Sequence, residues 1–449
     1  MLQFPPGFVW GAAASAYQIE GAVKTDGRGE SIWDRFSHTP GKTFNGATGD
    51  VACDHYRRFA EDIRLMAELG LQAYRFSIAW PRILPDGKGP INERGLAFYD
   101  RLVDTLCQAG IDPHVALYHW DLPQVLDDEG GWLNREIADR FAHYADVVSR
   151  RLGDRVKHWA TFNEPLCIAL LGYFTGEQAP GHRDQTFAEA NAALHHVYLA
   201  HGKAVPVLRA NSPASKIGIM LNIYPVYPAT DSEADRAAAF RFERFHTGWF
   251  AEPVLKGAYP AEVFPLFGPA APPLQPGDME LIGAPLDFVG LNYYSRMVVA
   301  DDPTAPDPLK TKMVHVASSE YTDMDWEIYP AGLRDLLTMI DREYHPQEIY
   351  IAENGCAMPD VPDSQGRVHD PRRVAYLQAH LQVLQQAIAQ DIPVKGYFVW
   401  SLLDNFEWSF GYSKRFGIVY VDYTTQRRIP KTSYRFYQDV IRANGVAEV

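Results

Sequence analysis

Eight short apolar segments alternate with eight longer stretches of helical periodicity along almost the whole chain, and nothing else in the sequence constrains the fold as tightly. The apolar segments are residues 8–15, 73–80, 114–119, 158–163, 216–223, 288–293, 348–353 and 394–401, all rich in β-branched or aromatic side chains. Between them, Phe59, Ile63, Met66 and Ala67 lie at helical spacing within 57–69. Leu96, Tyr99, Leu102, Val103 and Leu106 share one face of 92–109. Gly70 and Gly110 follow these two segments as helix stops. Further helices are expected over 136–152, 187–209, 234–249, 332–344, 371–389 and 432–443. Strictly alternating strands and helices imply the α/β class, and eight such units favour a closed (β/α)8 TIM barrel over an open sheet. An open doubly wound sheet would carry a glycine-rich phosphate loop after its first strand, and Gly7, Gly11 and Gly21 lack that spacing. The chain of 449 residues is expected to be one barrel domain, residues 1–449, with elaborated βα loops. Two stretches, 265–276 and 301–307, read as loops.

Composition excludes several partners. The formal charge of −14 argues against nucleic acid and anionic membrane surfaces, both of which attract basic patches. No run approaches the roughly 18 apolar residues of a membrane span, and no signal peptide is visible. Cys53, Cys107, Cys167 and Cys356 are scattered without a C-x-x-C pair, so neither a disulfide frame nor a zinc site is expected. The expected location is cytoplasmic, and a homo-oligomer is compatible with the sequence. No metal or other cofactor is expected. His195 and His196 sit side by side in an expected helix and read as a solvated helix face. Aromatic residues reach 13%, with ten Trp and 24 Tyr. That excess fits a large core with amphipathic edges, and equally a cleft whose flat rings suit the apolar faces of sugars.

The chemistry-bearing residues gather at the ends of the expected strands. In order they are Gln18, Arg75, His119-Trp120-Asp121, Asn163-Glu164, Asn292-Tyr293-Tyr294, Glu353-Asn354 and Trp400, followed by Asn405, Glu407 and Trp408. In a closed parallel barrel all these ends open on one face, where barrel active sites form. Glu164 and Glu353 each follow a mostly apolar strand directly. A glycosidic bond is commonly cleaved by two such carboxyl groups, one protonated to release the leaving oxygen and one ionised to attack or stabilise the anomeric carbon. Arg75 is placed to favour the Glu353 anion, and burial among aromatics to keep Glu164 protonated. Taken singly, either Glu reads as well as an ion-paired barrel carboxylate, His119 as a satisfied core histidine and Trp400 as core.

Five ordered motifs then carry a resemblance. Phe8-Val9-Trp10-Gly11-Ala12-Ala13 with Tyr17-Gln18-Ile19-Glu20-Gly21 is similar to the opening motif of glycoside hydrolase family 1, the β-glucosidase family. Thr161-Phe162-Asn163-Glu164-Pro165 and Ile351-Ala352-Glu353-Asn354-Gly355 resemble its two signature segments. Gly290-Leu291-Asn292-Tyr293-Tyr294 and the stretch from Trp400 to Trp408 match as well, and the likeness runs from Phe4 to about residue 440. The resemblance implies a retaining β-glycosidase with Glu164 as acid/base and Glu353 as nucleophile. It implies that Gln18, His119, Asn163, Glu407 and Trp408 hold the first sugar, that Trp400 forms the platform beneath it, and that Tyr294 and Arg75 orient the nucleophile. By position, Trp120, Cys167, Leu171, Tyr173, Asn222, Tyr224, Trp326 and Phe410 are candidate liners of the aglycone side.

The expected substrate is a small-molecule glycoside ending in an unphosphorylated β-D-glucosyl residue, from cello-oligosaccharides or aryl and alkyl glucosides, with galactosides or fucosides also accepted. Relatives acting on 6-phosphosugars carry Ser where this chain has Glu407, and a Lys/Tyr pair where it has Lys414 and Phe416. Thioglucosidases of the family replace the acid/base with Gln, where this chain has Glu164. Two rival classes remain: a sugar-binding barrel without turnover, and a metal hydrolase or aldolase, for which the sequence offers neither a ligand cluster nor a strand-end lysine.

Overall fold

A computed structural model of the protein describes residues 1–182 and 186–448. Arg183, Asp184, Gln185 and Val449, which the expected domain of residues 1–449 includes, lie outside the described residues. Eight parallel strands close into a barrel: β1 (Val9–Ala13), β2 (Ala73–Ser77), β3 (Asp112–Tyr118), β4 (His158–Asn163), β5 (Lys216–Leu221), β6 (Phe288–Asn292), β7 (Ile349–Asn354) and β8 (Val394–Trp400). Each strand pairs with its neighbour in sequence, and β8 returns to β1 through pairs such as Tyr397 with Trp10. The TIM-barrel expectation is met, and the strands deviate from the expected segments by a few residues at their ends.

Each strand is followed by a helix: α1 (His55–Leu69), α2 (Glu93–Gln108), α3 (Ile137–Leu152), α4 (Phe187–Asn211), α5 (Glu233–Glu243), α6 (Pro330–Tyr344), α7 (Pro371–Ile388) and α8 (Thr432–Ala443). The expected inner face of α2 is buried, from Leu96 through Tyr99, Leu102 and Val103 to Leu106. Gly70 ends α1 at φ +88°, a conformation open to glycine because it has no Cβ. The segment expected as one helix over 234–249 is not uniform. The α pitch stops at Glu243, a wider π turn spans Arg244–Gly248, and a new helix runs over Trp249–Lys256.

Two core layers follow from side-chain size. Most large apolar residues pack between strands and helices. A second cluster fills the barrel: Ala13, Ala73, Ala116 and Ala160 from β1–β4, against Met220, Phe288, Tyr350 and Phe398 from β5–β8. Small residues on one half leave room for large ones on the other. Gly11 is part of this fit, since a Cβ there would stand 2.3 Å from the Phe398 ring. The loops at the C-terminal mouth carry structure the sequence did not announce. A three-stranded sheet of Val226–Pro228, Met297–Asp301 and Thr311–Met313 rises beside the mouth. The stretch read as a loop over 265–276 begins inside a helical turn, Phe264–Phe267, and continues through another, Gly268–Ala270. No helix among the described residues is long and apolar enough to cross a membrane.

Candidate active site

The strand ends converge on a cavity of about 790 Å³ lined by Glu164, Glu353, His119, Tyr294, Trp400 and Glu407 among others. Four lining residues adopt left-handed backbone: Trp120 at φ +76°, Glu164 at φ +51°, Asp325 at φ +59° and Trp408 at φ +47°. Such conformations are costly outside glycine and cluster where surrounding contacts force a side chain into a working position.

Glu353, at the end of β7, has a donor on each oxygen. Arg75 Nη1, from β2, forms a short ion pair with Oε1, and the Tyr294 hydroxyl donates to Oε2 at 2.5 Å. The other arm of the guanidinium donates to Asn163 Oδ1 at 2.5 Å. Arg75 is fully buried, with both arms of its guanidinium engaged. Glu164, directly after β4, has a different environment. Asn292 Nδ2 donates to Oε1 at 2.6 Å, and Oε2 meets the Cys167 thiol at 3.2 Å. Burial, then the negative charge of Glu353, pushes the Glu164 carboxyl up to about 8, and the hydrogen bonds only partly offset them. At neutral pH the cavity therefore holds a carboxylic acid facing an arginine-bound carboxyl group. Glu407 is also raised to about 8, by burial first and then by Glu353 and Glu164.

The other expected sugar-binding residues occupy two layers. Trp400, Glu407, Trp408 and His119 line the cavity. The His119 ring lies nearly parallel to both Trp400 and Trp408, with centroids at 6.0 and 5.8 Å. Gln18 and Asn163 are fully buried behind that surface. Gln18 Nε2 reaches Glu407 Oε2 at 3.3 Å and the Phe406 carbonyl at 2.9 Å, while Ser15 donates to its oxygen. Asn163 Oδ1 accepts from Arg75 and Asn292, so its amide faces His119 Nε2, at 3.2 Å, as donor. That bond puts the imidazole proton on Nδ1, a buried atom with no hydrogen-bond partner among the described residues.

On the outer side, Trp120, Cys167, Leu171, Asn222, Tyr224, Trp326 and Phe410 line the cavity. Tyr173 does not. Its hydroxyl is buried against the Trp132 amide and Asp127, because the π turn over Cys167–Phe174 rotates it away from the opening. Sequence reasoning missed much of the outer wall, including Met297, Val298, Met313, Val314 and Met324. The apolar run Met297-Val298-Val299-Ala300 was the available signal for a strand there. Lys414 is occupied by the Asp323 carbonyl at 2.5 Å and its carboxylate at 3.2 Å, and Phe416 lines the cavity.

The expected solvated face at His195 and His196 is wrong. Both rings are buried, His195 between Asp278 and Tyr259, and His196 on the Trp132 carbonyl. Helix α4 is covered by the Asp278–Ile282 segment and by the loop after β3, so it has no free face at these positions. Far from the cavity, Asp112, His114 and His158 bring three ligand-type atoms within 4.8 Å at the N-terminal mouth. The two imidazoles stack at 3.9 Å with an 11° interplanar angle. An imidazole lone pair lies in its ring plane, so no ion at the usual distance of about 2.0–2.1 Å could lie in both planes at once.

The sequence profile described as Glycosyl hydrolase family 1 matches residues 1–446. The chain belongs to glycosyl hydrolase family 1. Among family 1 proteins it is 50% identical over 447 residues to β-glucosidase A of Thermotoga maritima, covering 99% of both chains. It is 49% identical over 449 residues to the 1,4-β-D-glucan glucohydrolase of Thermotoga neapolitana, covering 100% of both. The solved family 1 β-glucosidase of Thermotoga maritima in complex with glucoimidazole superposes with a TM-score of 0.96 at 49% identity, covering 99% of this chain and 100% of that one.

Proposed function

We propose that this family 1 chain is a retaining β-glucosidase, one catalytic barrel over residues 1–449, that removes terminal non-reducing β-D-glucosyl residues by double displacement. The observation that carries this reading is the unequal pair of carboxyl groups in one cavity: Glu164 raised to about 8, and Glu353 bound by Arg75 and Tyr294. In the first step Glu353 attacks C1 while Glu164 gives its proton to the glycosidic oxygen, and an α-glycosyl enzyme forms. With Glu353 esterified, its charge no longer raises Glu164. The Glu164 carboxylate takes a proton from water, which attacks C1 and releases the sugar with its β configuration retained. Glu407, Gln18, His119 and Asn163 hold the sugar hydroxyls, and Trp400 and Trp408 supply flat apolar faces.

An unphosphorylated glycone is supported by Lys414, which is engaged by Asp323, and by Glu407, which lines the cavity and brings no cation to a phosphate. Glucosides are the primary substrates of this reading, in the form of cello-oligosaccharides or aryl and alkyl glucosides, with galactosides and fucosides as secondary ones. A cytoplasmic location is supported by four unpaired cysteines, three of them buried.

A panel of nitrophenyl β-glycosides followed by cellobiose tests the activity. Replacing Glu353 with Ala is expected to lower kcat by about 10⁴-fold or more, as loss of a nucleophile does. Azide should restore turnover of Glu164→Ala on an activated phenyl glucoside and give the β-glucosyl azide. An α-configured azide, or near-normal turnover by Glu353→Ala, would overturn the assignment.

A further inference from the structure

Cys167 and Asn222 were expected to line the aglycone side, yet both are tied to the Glu164 carboxyl. Cys167 stands three residues after Glu164, in the turn closed by its own amide on the Glu164 carbonyl at 3.0 Å. Its Sγ lies 3.2 Å from Glu164 Oε2. Asn222, just beyond β5, donates from Nδ2 to the same sulfur at 3.3 Å. We propose that Cys167, oriented by Asn222, is a positioning residue that holds Glu164 Oε2 when Glu164 is a carboxylate and releases it when Glu164 is an acid. The inference rests on the reading of Glu164 as the acid/base.

Hydrogen-bond bookkeeping gives the chain of reasoning. Asn292 Nδ2 donates both to Glu164 Oε1 and to Asn163 Oδ1, at 2.6 and 3.0 Å. Flipping that amide would set its oxygen against Asn163 Oδ1, which already accepts from Arg75, so the nitrogen stays where it is. Oε1 is therefore an acceptor in either protonation state, and the acid proton of Glu164 resides on Oε2, the oxygen beside sulfur. When Glu164 is an acid, the thiol rotates its proton away and Oε2–H is free to go to the glycosidic oxygen. When Glu164 is a carboxylate, the S–H turns to Oε2 and holds it for the water step. Asn222, donating to sulfur, leaves the thiol proton for Glu164 to receive. A thiol suits this place because it is a weak donor. It steadies the anion without holding it so firmly that the acid is lost. Burial, with Glu164 adding to it, pushes the Cys167 thiol well up, so the sulfur keeps its proton.

The groups that set the electrostatics around Glu164 are Arg75 on β2, Glu353 at the end of β7, Glu407 after β8, and the Tyr224 and Tyr294 hydroxyls after β5 and β6. None of them changes when residue 167 is replaced, so a pH profile isolates the sulfur.

The test compares Cys167→Ser, Cys167→Ala and Asn222→Ala with the unaltered protein in kcat/KM against pH for a glucoside with a poor leaving group. A hydroxyl is a stronger donor to a carboxylate, so Cys167→Ser should move the alkaline limb to lower pH by about half a unit. Cys167→Ala should move it to higher pH, with Asn222→Ala in the same direction by less. With dinitrophenyl glucoside, whose leaving group needs no proton, kcat reads the water step. There Cys167→Ala should fall about 3- to 10-fold while Cys167→Ser keeps most of its rate. Labelling by a 2-deoxy-2-fluoroglucoside counts competent sites, so a poorly folding Ala variant is corrected for, and the Ser variant stands as an independent arm. Alkaline limbs that superimpose for all variants, or Ser and Ala shifts in the same direction, overturn the proposal. Glu164→Ala with azide separates the two readings: rescue with unmoved Cys167 profiles sinks the positioning role alone, and absence of rescue sinks the acid/base role beneath it.

Discussion

At the scale of single residues, the site works through contrast between like groups. Glu164, Glu353 and Glu407 line one cavity, and their neighbours distinguish them: a guanidinium and a phenol for Glu353, amide and thiol for Glu164, an amide alone for Glu407. The contrast sets a pH dependence. Proton donation by Glu164 is lost as pH rises through about 8, so kcat/KM for poor leaving groups should fall about tenfold per unit above that point. Activated leaving groups should lose much less on the same side, and identical alkaline limbs for both substrate types would contradict acid assistance. Tyr294→Phe removes the hydroxyl from Glu353 Oε2 and leaves Arg75 in place. It should lower kcat by about 10- to 100-fold with a smaller change in KM, since a hydrogen bond to a charged group is worth about 1.5–3 kcal/mol.

At the scale of elements, buried ion pairs fasten the helices and hairpins outside the barrel. Asp62 of α1 is fully buried between His55 and Arg428 of the hairpin strand Arg427–Pro430, with the Arg428 contacts at 2.8 and 3.1 Å. Burial alone would raise the Asp62 carboxyl, and the bonds from His55 and Arg428 outweigh it and hold it below the usual range. Its contribution to stability is therefore present above the unfolded carboxylate value near 4 and is lost as pH falls through the lower folded value. Asp62→Ala strands a buried guanidinium and should cost about 3–5 kcal/mol at neutral pH. The deficit, read from denaturant midpoints, should shrink in acid; one that is constant from pH 7 downward would refute the ion-pair account. Elements also mark where local pattern ran out. The α2 face was legible because its apolar spacing is unbroken. The π turns over Cys167–Phe174 and Arg244–Gly248 were not, because a change of helical pitch leaves the residue types unchanged. The misreading of His195 and His196 has the same origin: polarity at helical spacing does not reveal that a loop carrying Asp278 closes over it.

At the scale of the whole molecule, the ends of the chain meet beneath the barrel. Leu2–Gln3 pairs with Gly445–Val446, and Asn444 joins both ends to β1. Its Nδ2 donates to the Phe4 carbonyl and its Oδ1 accepts from Trp10 Nε1, both at 2.9 Å. Asn444 sits at φ +44°, a conformation Asn tolerates better than Ala. Asn444→Ala should therefore cost about 2–4 kcal/mol and shorten the half-life at high temperature, with kcat at 25 °C unchanged. An unaltered half-life would mean that the clasp adds nothing to barrel closure.

The sequence by itself determined the order of strands and helices, the family, and the positions of Glu164 and Glu353 at strand ends, because periodicity and motif spacing are local properties of a chain. Only the tertiary structure decided which groups stand against each glutamate, that Tyr173 turns away from the cavity, and that the Cys167 sulfur, bonded by Asn222, lies against the Glu164 carboxyl. Those outcomes depend on burial and on charges brought together from distant strands, and the energy of a charge in a closed cavity is set by every group around it.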